Sequence, residues 1–151
     1  MIKVCIMPFS ALEGAPNFAE LVSEYAAEAG LDGMPTPEPH LETYRTLDKA
    51  GIMTTLCAYQ DGVIVGFLTV LVSVIPHYSV PVAHLESFFV LKKSRASGAG
   101  MRLIYKAEEV VTGKGAVGMM ISAVVGGQLE GVLMRIASYK LTHSGFFRSL
   151  V

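Results

Sequence analysis

The 151-residue sequence has no tryptophan and only two cysteines, Cys5 and Cys57. Neither belongs to a C-x-x-C pair, so neither a thiolate metal site nor a dithiol redox motif is indicated. Both stand in apolar, strand-like stretches and read as buried free thiols. Charge is also scarce: Asp, Glu, Lys and Arg make up 17% of the chain, with a net charge of −1. No polybasic run is present, and nothing in the charge pattern would draw nucleic acid or an acidic membrane. The four histidines, His40, His77, His84 and His143, lack the i, i+4 pairing of a zinc helix, so no metal is expected. The longest apolar run, Val63 to Ile75, falls short of the roughly 20 residues that cross a bilayer. Its Val, Ile and Thr content favours a buried strand. The first eight residues are too short for a signal peptide. These absences lead to the expectation of a soluble, cytoplasmic protein.

What is present is apolar mass. Hydrophobic residues make up 52% of the chain, enough for one compact domain over residues 1–151. Ile2 to Pro8 reads as a first strand. Asn17 with Glu20 three residues on resembles a capping box, and Phe18, Leu21, Val22 and Tyr25 recur at helical spacing. A Pro-rich link (Pro35, Pro37, Pro39) leads to a second helix over Leu41, Tyr44 and Leu47. Thr54–Tyr59 and Val63–Ile75 flank Asp61–Gly62, a hairpin signal. Val82–Leu91 is a further strand, followed by a helix from about Gly100 to Thr112. Ala116–Ala123 reads as a fifth strand, a last helix opens at Gly126–Gly127, and Tyr139–Leu150 reads as a terminal strand or hairpin. The expected class is α/β (α+β), in the order β-α-α-β-β-β-α-β-α-β.

One loop carries chemistry. Arg95–Ala96–Ser97–Gly98–Ala99–Gly100 joins a strand directly to a helix. The first-turn amides of that helix have no intrahelical partners, and its dipole adds partial positive charge. Glycine lets a phosphate approach the backbone, and Ser97, Arg95 and Lys93 add a hydroxyl and charge. The loop lacks the Lys-Ser/Thr of a Walker motif. It also lacks the third glycine of a dinucleotide fingerprint, where Leu103 stands.

Arg95, Gly98 and Gly100 match the Arg/Gln-x-x-Gly-x-Gly/Ala pattern that opens the third helix in the GNAT N-acetyltransferases. The order of elements through most of residues 1–150 resembles that family. So do Leu85–Glu86–Ser87–Phe88–Phe89–Val90, like its fourth strand, and Ile136–Ala137–Ser138–Tyr139–Lys140, like the end of its fourth helix. The resemblance implies an acyl-CoA N-acyltransferase fold: a central mixed, mostly antiparallel sheet with splayed fourth and fifth strands, flanked by about four helices. It implies acetyl transfer from acetyl-CoA to a primary amine, with no metal. Phe89, Val90 and Leu91 would offer main-chain groups to the pantetheine arm. Arg95, Ser97, Gly98, Ala99, Gly100 and Met101 would hold the pyrophosphate.

Glu86 is the implied general base. The family's usual tyrosine acid aligns with Met134, which has no proton to donate. Tyr139, Ser138, Tyr105 or water stand in as acid candidates, Tyr139 foremost. The alternative reading of Met134 is a non-catalytic module that binds coenzyme A or a partner. Lys92, Lys93 and Arg102 are either a ribose-phosphate contact or a solvated rim. His84 and Glu86 share a strand face. Phe146 and Phe147 are expected to be buried, or, if exposed, to support a homodimer contact.

Overall fold

The computed structural model describes residues 1–151. A five-stranded sheet runs in the order β1 (Ile2–Met7), β2 (Met53–Gln60), β3 (Val63–Ile75), β4 (Val80–Val90), β5 (Met119–Met120). The first three pairings are antiparallel and the last is parallel. Helices α1 (Phe9–Glu13), α2 (Phe18–Glu28) and α3 (Leu41–Lys49) lie between β1 and β2. A 3₁₀ turn (Lys92–Ser97) and helix α4 (Ala99–Gly113) separate β4 from β5, and α5 (Gln128–Arg135) follows. No helix is long and apolar enough to cross a membrane.

The two faces of the sheet are both buried, which is why β2 and β3 read as nearly continuous apolar runs. Leu56, Leu68 and Val70 meet Leu103, Ile104, Ala107 and Val111 of α4 on one face. Cys57, Phe67 and Phe89 meet Phe9, Leu12 and Leu21 of α1 and α2 on the other. The β2–β3 turn forms as its residues dictate, with Asp61 at φ 50° and Gly62 at φ 80°, a pair of left-handed positions suited to a two-residue hairpin.

Four expectations are corrected. Helix α1 was not visible at five residues, too short for a helical period to show. Asn17 stands at the N-cap of α2 as expected, but its side chain makes no capping hydrogen bond; its Nδ2 instead donates to Ile64 O at 2.8 Å, while Glu20 pairs with Lys93. The fifth strand shrinks from Ala116–Ala123 to Met119–Met120, because β4 supplies pairing partners only at Ala83 and His84. The terminal strand over Tyr139–Leu150 does not form, since a two-residue β5 offers almost no ladder to extend. Phe146 and Phe147 are consequently exposed, by 97% and 49%.

Candidate active site

The site is organised by the carboxyl half of β4. Its register with β3 passes from Thr69↔Ser87 to Val70↔Leu85, leaving Glu86 as an extra, bulged residue. A bulge of this kind bends the strand and re-aims a side chain. Phe88 and Val90 pack with the α4-side core and Phe89 with the α2-side core, so Glu86 and Ser87 both project toward α2 and α3.

Both Glu86 oxygens accept hydrogen bonds. Tyr44 OH donates to Oε1 at 2.9 Å, and Thr69 Oγ1 donates to Oε2 at 2.8 Å. Thr69 has one proton, so at its 2.5 Å contact with Ser87 Oγ the serine is the donor. The Ser87 amide also donates to Thr69 Oγ1, at 3.1 Å. Thr69 and Ser87 are 1% and 4% exposed, so this chain of hydroxyls is a fixed, buried support for the carboxylate.

Tyr44 stacks on Phe9 with centroids 5.1 Å apart and planes 12° apart. Burial, and then the Glu86 charge, raise its phenol above the ordinary tyrosine range; the same two causes raise Tyr25. In front of Glu86 lies an open cleft of about 420 Å³ bordered by Tyr25, Glu38, His40, Thr43 and Tyr44. Its volume suits a small molecule or a single side chain. It contains no lysine or arginine. Tyr44 and Thr69 were not recognised in the sequence, because nothing local signals that α3 sets Tyr44 against a strand 42 residues on.

Below Glu86, β4 has a free edge. Only its start is bonded to the β5 segment, through Val117 N to Pro81 O and Ala83 N to Gly118 O, each 2.9 Å. Leu91 N donates to Val65 O at 2.9 Å and Leu91 O accepts from Ser94 N at 2.8 Å. Leu91 therefore has no main-chain group left for a ligand. Alternation turns the main-chain groups of Phe89 toward β3 as well, and those of Phe88 and Val90 toward the gap. Of Phe89, Val90 and Leu91, only Val90 turns its main-chain groups to the gap, where its carbonyl accepts from Arg95 Nε at 3.1 Å; Phe88 faces the gap as well.

The gap leads to the start of α4. Gly98 has φ 81°, a conformation that suits glycine. Gly98 is the N-cap of α4, and Gly100 and Met101 lie in its first turn, ahead of Arg102 N, which donates to Gly98 O at 3.2 Å; such amides have no intrahelical partner, and α4 points its positive end at them. A Cβ at Gly98 would meet nothing within 4 Å, so the space beside the loop is open. Ala99 N donates to Ser97 Oγ at 3.3 Å, and Ser97 Oγ donates to Ser94 O at 2.5 Å. Ser97 thus shapes the turn and its hydroxyl proton is occupied.

The expected cations are also engaged. Arg95 Nε donates to Val90 O at 3.1 Å and Nη2 pairs with Glu28 at 2.6 Å. Lys93 pairs with Glu20 at 2.8 Å, Lys92 Nζ lies 3.7 Å from Glu28 while its amide donates to Glu24 at 3.1 Å, and Arg102 donates to Ile2 O at 2.9 Å. Hydrogen bonding from Arg95 holds the Glu28 carboxyl below its usual range. The loop's anion-binding capacity therefore rests on backbone amides, with its side-chain cations tied to α2 and β1.

Tyr139 lies elsewhere. Its ring packs with the α4-side core, and its hydroxyl donates to Glu108 of α4. Burial first, then that hydrogen bond and the Glu108 charge, raise its phenol. The sheet separates it from Glu86, so the structure does not bring the two expected catalytic residues together. No hydrogen bond joins His84 to Glu86. No group of three or more His, Cys, Asp or Glu side chains is arranged to hold a metal ion.

A carboxylate on a bulged strand, a parted sheet edge beneath it and first-turn helix amides at the far end follow one another from β4 into α4. The family model described as acetyltransferase (GNAT) family matches residues 18–128, and the chain belongs to that family. A search of curated proteins finds no match. Among solved structures, an aminoglycoside acetyltransferase from an uncultured soil metagenomic sample, in complex with sisomicin, is similar with TM-score 0.74 at 20% identity. The match covers 99% of this chain and 97% of that one. The aminoglycoside enzyme AAC(6')-Iy, bound to a coenzyme A bisubstrate analogue, gives 0.75 at 21%, covering 98% and 97%. A ribosomal-protein-alanine N-acetyltransferase from Brucella melitensis biovar Abortus 2308 gives 0.74 at 17%, covering 98% and 99%. At these identities the likeness is one of fold.

Proposed function

We propose that the protein transfers the acetyl group of acetyl-CoA to a primary amine by direct attack. The observation that carries this reading is the continuity of the site: first-turn amides of α4 at Gly98, Gly100 and Met101, Phe88 and Val90 facing the gap along β4, and Glu86 on the same strand. The three amides would hold the pyrophosphate. The Val90 and Phe88 main-chain groups would hold the pantetheine arm, and a backbone amide beside the acetyl carbonyl would polarise it. The amine enters from the cleft bordered by Glu38, Tyr25 and Tyr44, whose acidic, cation-free wall suits a basic group. Glu86 takes the amine proton as general base. Its two donors keep it oriented, which is what positioned proton transfer requires.

The test of the cofactor is thermal. Acetyl-CoA at one hundred times its dissociation constant stabilises the folded state by about 2.7 kcal/mol. Gly98→Glu abolishes the shift, because its carboxylate occupies the anion cradle. A melting temperature indifferent to acetyl-CoA contradicts the reading.

A second reading is a module that binds coenzyme A without turnover. Met134 favours it: on α5 it is 64% exposed and offers no acidic proton. Cofactor binding without thiol release from any amine would support it.

A further inference from the structure

Direct attack needs a proton at sulfur as well as a base at nitrogen. Met134 cannot supply it, and Tyr139 is bound to Glu108 across the sheet. The side of the sheet that carries Glu86 does present a phenol. Tyr44 OH lies 2.9 Å from Glu86 Oε1, its ring is held against Phe9, and it borders the same cleft as Glu86. Thr69, gripping the other carboxylate oxygen at 2.8 Å, keeps Oε1 turned to the phenol.

Resting on the acetyltransferase reading, we propose that Tyr44 and Glu86 form a proton relay in which Tyr44 protonates the departing thiolate. The amine nitrogen bonds to the acetyl carbon as Glu86 accepts its proton. The carbon–sulfur bond then breaks and its electron pair stays on sulfur. Tyr44 gives its phenolic proton to that sulfur and regains one from Glu86 across the existing hydrogen bond. The products are an amide and a free thiol. Both side chains return to their starting states, and no further reactant is consumed.

The electrostatics fit the timing. The Glu86 charge is the second cause, after burial, that holds the Tyr44 phenol high. When Glu86 takes the amine proton that charge vanishes, and Tyr44 becomes a better acid at the step that needs one. Burial disfavours a free phenolate at this position throughout, so the two transfers around Tyr44 are concerted. The other groups facing this pair are Tyr25 from α2, Glu38 and His40 from the link before α3, and the hydroxyls of Thr69 and Ser87.

The experiment measures amine-dependent thiol release from acetyl-CoA as a function of pH. It compares wild type, Tyr44→Phe, Tyr78→Phe, and protein with 3-fluorotyrosine at position 44. Tyr44→Phe keeps the ring and its stacking and should lower kcat by about a hundredfold or more. Its KM for acetyl-CoA should stay within about twofold of wild type. Tyr78→Phe, at an exposed tyrosine of the β3–β4 turn outside the cleft, should retain most of the activity. The fluorinated phenol, more acidic but nearly the same shape, should restore turnover and move the alkaline limb of kcat to lower pH, which a merely structural tyrosine would not do. A wild-type kcat in Tyr44→Phe, or an alkaline limb unmoved by fluorination, overturns the relay and leaves the acetyltransferase reading standing. A wild type that releases no thiol with any amine overturns both.

Discussion

Glu86 is exposed toward the cleft yet fixed from behind. Thr69 Oγ1, 1% exposed, is the pivot of the support. Replacing it by valine removes one donor to the carboxylate and the acceptor of the Ser87 amide. We expect Thr69→Val to lose about 1–3 kcal/mol of stability through that unpaired amide and to reduce turnover further by freeing Glu86; chemical denaturation and kinetics separate the two effects. Another residue-scale expectation concerns Cys57. Burial, with Cys5 opposite it, pushes its thiol up from 9.0 to about 12. The folded state holds the proton more tightly than the unfolded one, so the contribution is fully present below pH 9 and is lost as pH rises toward 12. Denaturation between pH 8 and 11 should show a falling stability that Cys57→Ala flattens. Glu86 was legible because it stands at a motif position beside the loop. Tyr44 was not, because a helix sequence shows only that Leu41, Tyr44 and Leu47 share a face, not what that face meets.

At the level of elements, β4 does most of the positioning. Its bulge aims Glu86, its edge parts from β5, and its close approach to β3 is secured at Gly66, where a Cβ would lie 2.9 Å from Phe89 O and 3.0 Å from Val90 Cγ2. Gly66→Ala should cost about 1–3 kcal/mol and widen the β3–β4 contact just where the site is built; a lower denaturation midpoint with unchanged slope would show it. Helix α2 contributes a row of carboxylates, Glu20, Glu24 and Glu28, that meets Lys93, the Lys92 amide and Arg95. The sequence marked those cations as candidate phosphate ligands because they neighbour the glycines. It carried no sign that α2 would pack alongside. The Asp61–Gly62 turn, by contrast, was fully legible, because both left-handed positions are written in the residues themselves. The short β5 and the unformed terminal strand were not, since strand formation there depends on a neighbour's edge and not on the segment's own composition.

At the scale of the molecule, the sheet carries two cores, one against α4 and one against α1 and α2. Leu103, fully buried between α4 and β3, holds the helix whose first turn forms the anion cradle. Leu103→Ala should cost about 2–5 kcal/mol, lowering the melting temperature by about 2–4 °C per kcal/mol for a chain of this size. Fold class was readable from the order of elements, which survives uncertain boundaries. The arrangement of two cores follows from both faces of β2 and β3 being apolar, and between them β4 carries the carboxylate and leads through the 3₁₀ turn to the cradle at the start of α4. That placement is the substance of the functional reading. It is tested by thiol release from acetyl-CoA with a panel of primary amines, comparing wild type with Glu86→Gln. The expected result is amine-dependent release by wild type and a fall of about a hundredfold or more in kcat for the variant, whose acetyl-CoA binding is retained. Equal rates in the two proteins, or no release by wild type with any amine, would contradict it.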